Sequence, residues 1–255
     1  MRRWAWVPAV FLLVGCSPGV EDEPETEVIT TVAKQEPFPT LDNDVAAIEK
    51  DTSTEVGIAL YDGKSMHAAG SLHELPAWSS IKVPIAMAAA EHCEYDETLI
   101  EQFTEAAIEW SDNDGARALW DCMGSDAEAS KLVGEEIAKS GSDVEVEGAF
   151  GTTTWPFTGQ ARYGYYLSKQ DEDDPVIAMM HHIDKEQSYG LGQLEGVPFK
   201  GGWSDYEVDG SWHTRQFGWV EVDGVVYGVA IGARSEAGSY EDTVKALDEA
   251  AELLR

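Results

Sequence analysis

An unbroken apolar run, Val83-Pro84-Ile85-Ala86-Met87-Ala88-Ala89-Ala90, follows directly on a lysine, Lys82. A helix that is apolar on every side has to be surrounded on every side. The run therefore fits a fully buried helix with other elements packed all round it. Lysine is almost never fully buried without a partner or a task, so Lys82 at the head of such a helix is an odd occupant.

The order of elements around this run narrows the architecture. Residues 41–50 suit a helix. The stretch 55–61 (EVGIALY) alternates and is rich in β-branched residues, Asp62-Gly63 reads as a turn, and 64–70 as the return strand of a hairpin. A long helical part follows, at 80–92, 97–109, 114–122, 126–140, 155–169 and 175–183. Strands return at 197–201, 212–222 and 225–233, the last two joined by the turn signal Asp223-Gly224. A final amphipathic helix at 240–254 carries Val244, Leu247, Ala251 and Leu254 on one stripe. Two strands, a helical insertion, three strands and a helix predict an α+β fold, three-layered in the α/β/α manner. One antiparallel sheet draws on both ends of the chain, the N- and C-terminal helices share one face, and the insertion forms a helical lobe. A cleft is expected between sheet and lobe.

The N-terminus reads as an export signal. Arg2 and Arg3 precede a short apolar run, residues 4–14, too short to span a bilayer. The run closes on Leu13-Val14-Gly15-Cys16, which resembles a bacterial lipobox with Cys16 as the lipidated residue. This implies a signal peptide over 1–16 and an extracytoplasmic protein anchored to the bacterial cell membrane by lipid. Residues 17–40, rich in Glu, Pro and Thr, read as a disordered acidic tether, leaving 41–255 as the folded domain. Setting Cys16 aside leaves Cys93 and Cys122 in a compartment where disulfides form. They are either one bridge or two buried thiols. The chain holds 17 Lys and Arg against 48 Asp and Glu, a formal net charge of −31. Loss of Arg2 and Arg3 makes it more acidic still. Such a surface excludes nucleic acid as a partner, because phosphate binding needs basic side chains, and it disfavours electrostatic adhesion to anionic lipid.

Three short signals carry chemistry. Ser79-Ser80-Ile81-Lys82 places a serine and a lysine three apart at a helix start, on one face. A serine hydroxyl becomes a useful nucleophile when a neighbouring base takes its proton. A lysine buried near other positive charge can be that base. The helix N-terminus adds N–H groups for an oxyanion. Ser111-Asp112-Asn113 falls between two helices, where a helix-capping turn would look the same. Lys200-Gly201-Gly202-Trp203 lies on an expected strand, where glycines mark a bulge or close approach by another backbone or a ligand.

Together and in this order, the three resemble the S-x-x-K, S-D-N and K-T-G signature of penicillin-recognising serine enzymes, class A β-lactamases and penicillin-binding proteins among them. SSIKVPI at 79–85 is similar to their nucleophile helix. GTTTW at 151–155 is similar to the threonine-rich segment after their omega loop. The resemblance spans about residues 41–255. It implies Ser79 as acylated nucleophile, Lys82 as its base and Ser111 as proton relay to the leaving nitrogen. Lys200 would tune that serine and attract a substrate carboxylate, and Asn113 would bind the substrate amide and Lys82. The backbone N–H groups of Ser79 and Trp203 would form the oxyanion hole. The family layout also puts Cys93 and Cys122 at similar depths along two helices that start at the cleft, which implies a bridge between them. It further implies a monomer acting on a small peptide or β-lactam-like substrate, with no metal and no cofactor.

Two departures stand out. The third signal reads K-G-G, so the family's middle hydroxyl, which contacts the substrate carboxylate, is absent at Gly201. Arg215 either supplies that contact from the next strand or is a surface arginine. Secondly, no E-x-x-x-N loop precedes the threonine-rich segment. Glu145 and Glu147 are present there, but no asparagine follows at the family's spacing. An acyl-enzyme formed with a β-lactam is expected to persist. Adjacent His181 and His182 point about 100° apart on a helix, which disfavours joint metal ligation. Trp110, Trp155, Trp203 and Trp212 are expected to line the cleft or fill the core, and 189–192 to form a flexible cleft-rim loop.

Overall fold

The computed structural model describes residues 37–149 and 151–255. The expected export signal, Cys16 and nearly all of the expected tether lie outside the described residues. The described chain runs through α1 (Leu41–Thr52), β1 (Glu55–Tyr61), β2 (Met66–Ala69) and β3 (Glu74–Pro76) into a 3-10 turn, Trp78–Ile81. Four helices follow: α2 (Lys82–His92), α3 (Glu97–Ile108), α4 (Asn113–Asp121) and α5 (Asp126–Ala138). Next come β4 (Thr154–Pro156), α6 (Phe157–Leu167) and α7 (Pro175–Met179). The chain ends with β5 (Phe199–Tyr206), β6 (Ser211–Val222), β7 (Val225–Ser235) and α8 (Tyr240–Glu252).

Both ends of the chain build one antiparallel sheet, in the order β2-β1-β7-β6-β5. The expected architecture is the observed one. β1 lies against β7 with Ile58 opposite Ile231 and Val56 opposite Ala233. Asp223 and Gly224 both take positive φ, 52° and 77°, the two-residue turn whose twist suits a hairpin. Alternation along β1 and β7 sends Val56, Ile58, Leu60, Val229 and Ile231 to one face, where Val45 and Ile48 of α1 and Leu247 and Ala250 of α8 cover them. Each such side chain contributes about 1.5–3 kcal/mol on burial. The Phe38 ring packs edge-on to His67 and Tyr227, so the folded unit begins at least there, ahead of the expected residue 41.

On the opposite face α6 lies directly on the sheet. A Cβ at Gly164 would stand 2.1 Å from the Gly218 carbonyl oxygen, so helix and strand backbones touch there only because a side chain is missing. Beyond α6 the helical lobe surrounds α2, whose residues from Lys82 to Ala89 are all buried, with α3, α4, α5 and α7 packed against it. Ser125 and Glu128 start α5 with a reciprocal capping box. A disulfide joins Cys93, at the end of α2, to Cys122, at the end of α4.

Other boundaries differ from expectation. β3 and β4 pair with each other, Leu75 opposite Trp155, where no strand and the start of a helix were expected. Strands of three residues are too short to show an alternating pattern, and their pairing is non-local. α7 stops at Met179 rather than near 183, and β5 runs on to Tyr206.

Candidate active site

Ser79 is half-buried in the 3-10 turn. Trp78 before it has φ of 47°, a left-handed conformation costly for a bulky residue and tolerated only when neighbours fix it. Here they do. The Trp78 N–H donates to the Gly151 carbonyl (2.8 Å) and the Ala77 N–H to the Thr153 carbonyl (2.7 Å). The Ser80 hydroxyl donates to the Ala77 carbonyl and accepts from Gln160 Nε2 at 2.9 Å. The Lys82 N–H closes the turn on the Ser79 carbonyl.

Two lysines converge on one hydroxyl. Lys82 Nζ donates to Asn113 Oδ1 (2.8 Å) and to the Ser111 carbonyl, and lies 3.4 Å from Ser111 Oγ. From the other side Lys200 Nζ donates to Ser111 Oγ (3.0 Å), to its neighbour Gly201's carbonyl (3.1 Å) and to Gln187 Oε1 (3.4 Å). Ser111 has φ of 57°. Asp112 caps α4 by accepting the Gly115 N–H at 2.7 Å. Burial pushes the Lys82 ammonium down to about 8, against the pull of Asp112. Lys200, fully buried, falls well below the usual lysine range through desolvation and then through the charge on Lys82. Two ammonium groups around one hydroxyl in a dry site disfavour each other, so the arrangement favours release of a proton.

Strand β5 passes against the Ser79 turn. A Cβ on Gly202 would stand 2.7 Å from the Ser79 amide nitrogen and 2.9 Å from the Ala77 carbonyl oxygen, which requires glycine there. Gly201 is different: its nearest neighbour to an added Cβ is Gln216 Cγ at 3.6 Å. Crowding therefore does not explain the missing hydroxyl. Trp203 follows on the same strand, opposite Thr214.

Arg215 meets neither expectation. It is fully buried. Its Nε and Nη2 donate to Gln160 Oε1 (3.1 and 2.6 Å), Nη1 to the carbonyls of Leu75 (2.6 Å) and Pro76 (3.1 Å), and Nη2 also to that of Trp155 (3.1 Å). The guanidinium thus ties β3, β4 and α6 together beneath the Ser79 turn. No part of it is presented to a substrate carboxylate.

The remaining candidates fall as follows. Glu145 and Glu147 are exposed. The Glu147 N–H donates to Thr153 Oγ1 and its carbonyl accepts from Thr152 Oγ1. His181 packs edge-on to Trp219 and His182 bonds the Ala178 carbonyl. Trp155 is core, whereas Trp110, Trp203 and Trp212 line a cavity of about 590 Å³ beside the lysine pair. Residues 189–192 are no rim loop. Tyr189 and Leu191 are buried, the Gly190 N–H is held by Asp248 and the Leu191 N–H by Gln216. Two apolar anchors in a glycine-rich segment are the signal that it packs. Gln160 and Gln187, which brace Ser80 and Lys200, escape a sequence reading because a lone glutamine carries no pattern. Among the described residues no cluster of three or more metal-ligating side chains occurs.

No family model matches the chain, and no curated protein matches it. Solved structures do. A representative class A β-lactamase from Bacteroides cellulosilyticus DSM 14838 superposes with a TM-score of 0.70 at 15% identity, covering 87% of this chain and 98% of that one. TLA-3 extended-spectrum β-lactamase gives 0.68 at 16% identity over 85% and 97%. A β-lactamase from Chitinophaga pinensis DSM 2588 gives 0.67 at 16% over 84% and 97%. The likeness is one of fold: the chain has the fold of class A β-lactamases along almost their whole length.

Proposed function

We propose that this chain is a cell-envelope serine acyl-transfer enzyme that attacks a peptide or other amide, cell-wall-derived or β-lactam-like, through an ester on Ser79. The observation that carries the reading is Ser111 Oγ held between Lys82 Nζ and Lys200 Nζ, with Asn113 on Lys82. Neutral Lys82 takes the Ser79 proton as Oγ attacks the carbonyl carbon. The oxyanion is received by the N–H groups of Ser79 and Trp203. On collapse the C–N bond breaks, the leaving nitrogen takes the Ser111 proton, and the Lys82 ammonium restores it. The Ser79 ester remains.

Among the described residues the partners of Lys82 Nζ are Ser111 and Asn113, with no carboxylate to activate a deacylating water. This supports a persistent acyl-enzyme over rapid β-lactam hydrolysis. The export signal and Cys16 support a lipid-anchored, extracytoplasmic location for a folded domain from about residue 38. No described helix is long and apolar enough to cross a membrane.

Intact-protein mass spectrometry after exposure to a fluorescent penicillin tests the chemistry. One adduct per chain, lost in Ser79→Ala, is expected, with a single stoichiometric burst of nitrocefin ring opening. Labelling unchanged in Ser79→Ala overturns the nucleophile, and many nitrocefin turnovers would instead make the chain a β-lactamase with an unconventional base.

A further inference from the structure

The cavity beside the lysine pair has walls unlike those expected of a carboxylate site. Four aromatic rings, Trp110, Trp203, Trp212 and Tyr240, surround it, with the carboxylates of Asp184 and Glu186 at its edge. Trp110 leaves 61% of its surface in water, a large apolar ring held ready beside the chain's reactive residues. Trp212 is fixed by its Nε1–H on Thr214 Oγ1 (3.2 Å) and by the edge of Tyr240, ring centres 5.5 Å apart. Three of its lining residues adjoin the proposed acyl-transfer residues, two along the chain and one by a hydrogen bond. Trp110 precedes Ser111, Trp203 follows the K-G-G strand, and Gln187, also in the wall, holds Lys200.

Groups that would receive an anion here are occupied or missing. Gly201 has no hydroxyl. The Arg215 guanidinium is held on Gln160 and three backbone carbonyls. The buried Lys200 Nζ already has Ser111, Gln187 and Gly201 as hydrogen-bond partners. Asp184, whose Oδ1 accepts the Glu186 N–H (2.9 Å), and Glu186 line the same cavity as the rings; such carboxylates, on a chain of net charge −31, repel a carboxylate and attract a cation, which ring faces also bind.

We infer that this cavity binds a cationic substrate group, an alkylammonium or quaternary ammonium. The part of this that concerns substrate rests on the acyl-transfer reading; the cation site itself does not. Titration calorimetry and tryptophan fluorescence on the full chain test it with choline, its neutral isostere 3,3-dimethyl-1-butanol, and pentanoate. Choline is expected to bind roughly tenfold more tightly than the neutral isostere, with pentanoate weakest. Trp110→Ala, an exposed position that leaves the fold intact by circular dichroism, and the pair Asp184→Asn, Glu186→Gln should each weaken choline several-fold. Ser79→Ala should leave choline binding unchanged. Choline binding no better than its isostere, or pentanoate binding better than either, overturns the inference. Failure of penicillin labelling with choline binding intact overturns only the acyl-transfer reading.

Discussion

Lys82 is worth more as an amine than as an ammonium. Its burial favours the neutral form, and only that form can accept the Ser79 proton. Acylation should therefore climb with pH while Lys82 deprotonates around pH 8 and level off above it. Stopped-flow labelling from pH 6 to 10 reads this, and a flat profile would remove Lys82 as the base. Lys82→Arg, which stays protonated throughout, should abolish labelling at every pH. Arg215 predicts the opposite kind of effect. Its removal takes a donor from Gln160 Oε1 and from the carbonyls of Leu75, Pro76 and Trp155, at about 1–3 kcal/mol for each buried group left unsatisfied. Arg215→Met should lower the urea midpoint strongly. A stable variant with only a raised KM for anionic substrates would return Arg215 to the substrate. Serine, lysine and asparagine spacings are what mark Ser79, Lys82, Ser111 and Asn113 as candidates in the sequence. Arg215 was misjudged because a charge's exposure is not written in its own strand.

At the scale of elements, close approaches decide what can change. Gly202→Ala puts a methyl 2.7 Å from the Ser79 amide, so β5 must retreat from the nucleophile turn. Labelling should fall at least tenfold while the fold survives, checked by circular dichroism. The Cys93–Cys122 bridge closes a loop with a separation of 29 residues between the ends of α2 and α4. Reducing it should cost the domain about 2–4 kcal/mol, seen as a lower urea midpoint in reductant, with both thiols then reactive. Element identity was readable where periodicity had room: α2, the β6–β7 hairpin and α8. The β3–β4 pair was not, since three residues give no period. Its pairing joins segments far apart in the chain and is held by the Arg215 guanidinium and by the backbone bonds of the Ser79 turn.

Across the whole molecule, one sheet carries two cores, with α1 and α8 on one face and α6 with the helical lobe on the other. The net charge of −31 makes this body self-repelling. Thermal unfolding at neutral pH should shift upward between low and high salt as repulsion is screened, and a salt-independent midpoint would show that the charges are locally compensated. What the sequence by itself determined is everything set by local geometry and composition. The buried α2, Ser79 and Lys82 on one helical face, the single antiparallel sheet implied by two sheet-forming ends, and the acidic surface all follow from spacing and residue type. Tertiary structure alone decided which groups meet and which lose water. It placed Ser111 between two lysines, drove Arg215 under the turn, and set four aromatic rings and two carboxylates around one cavity. Those facts depend on contacts between residues far apart in the chain and on depth from solvent, and neither is encoded in any one segment.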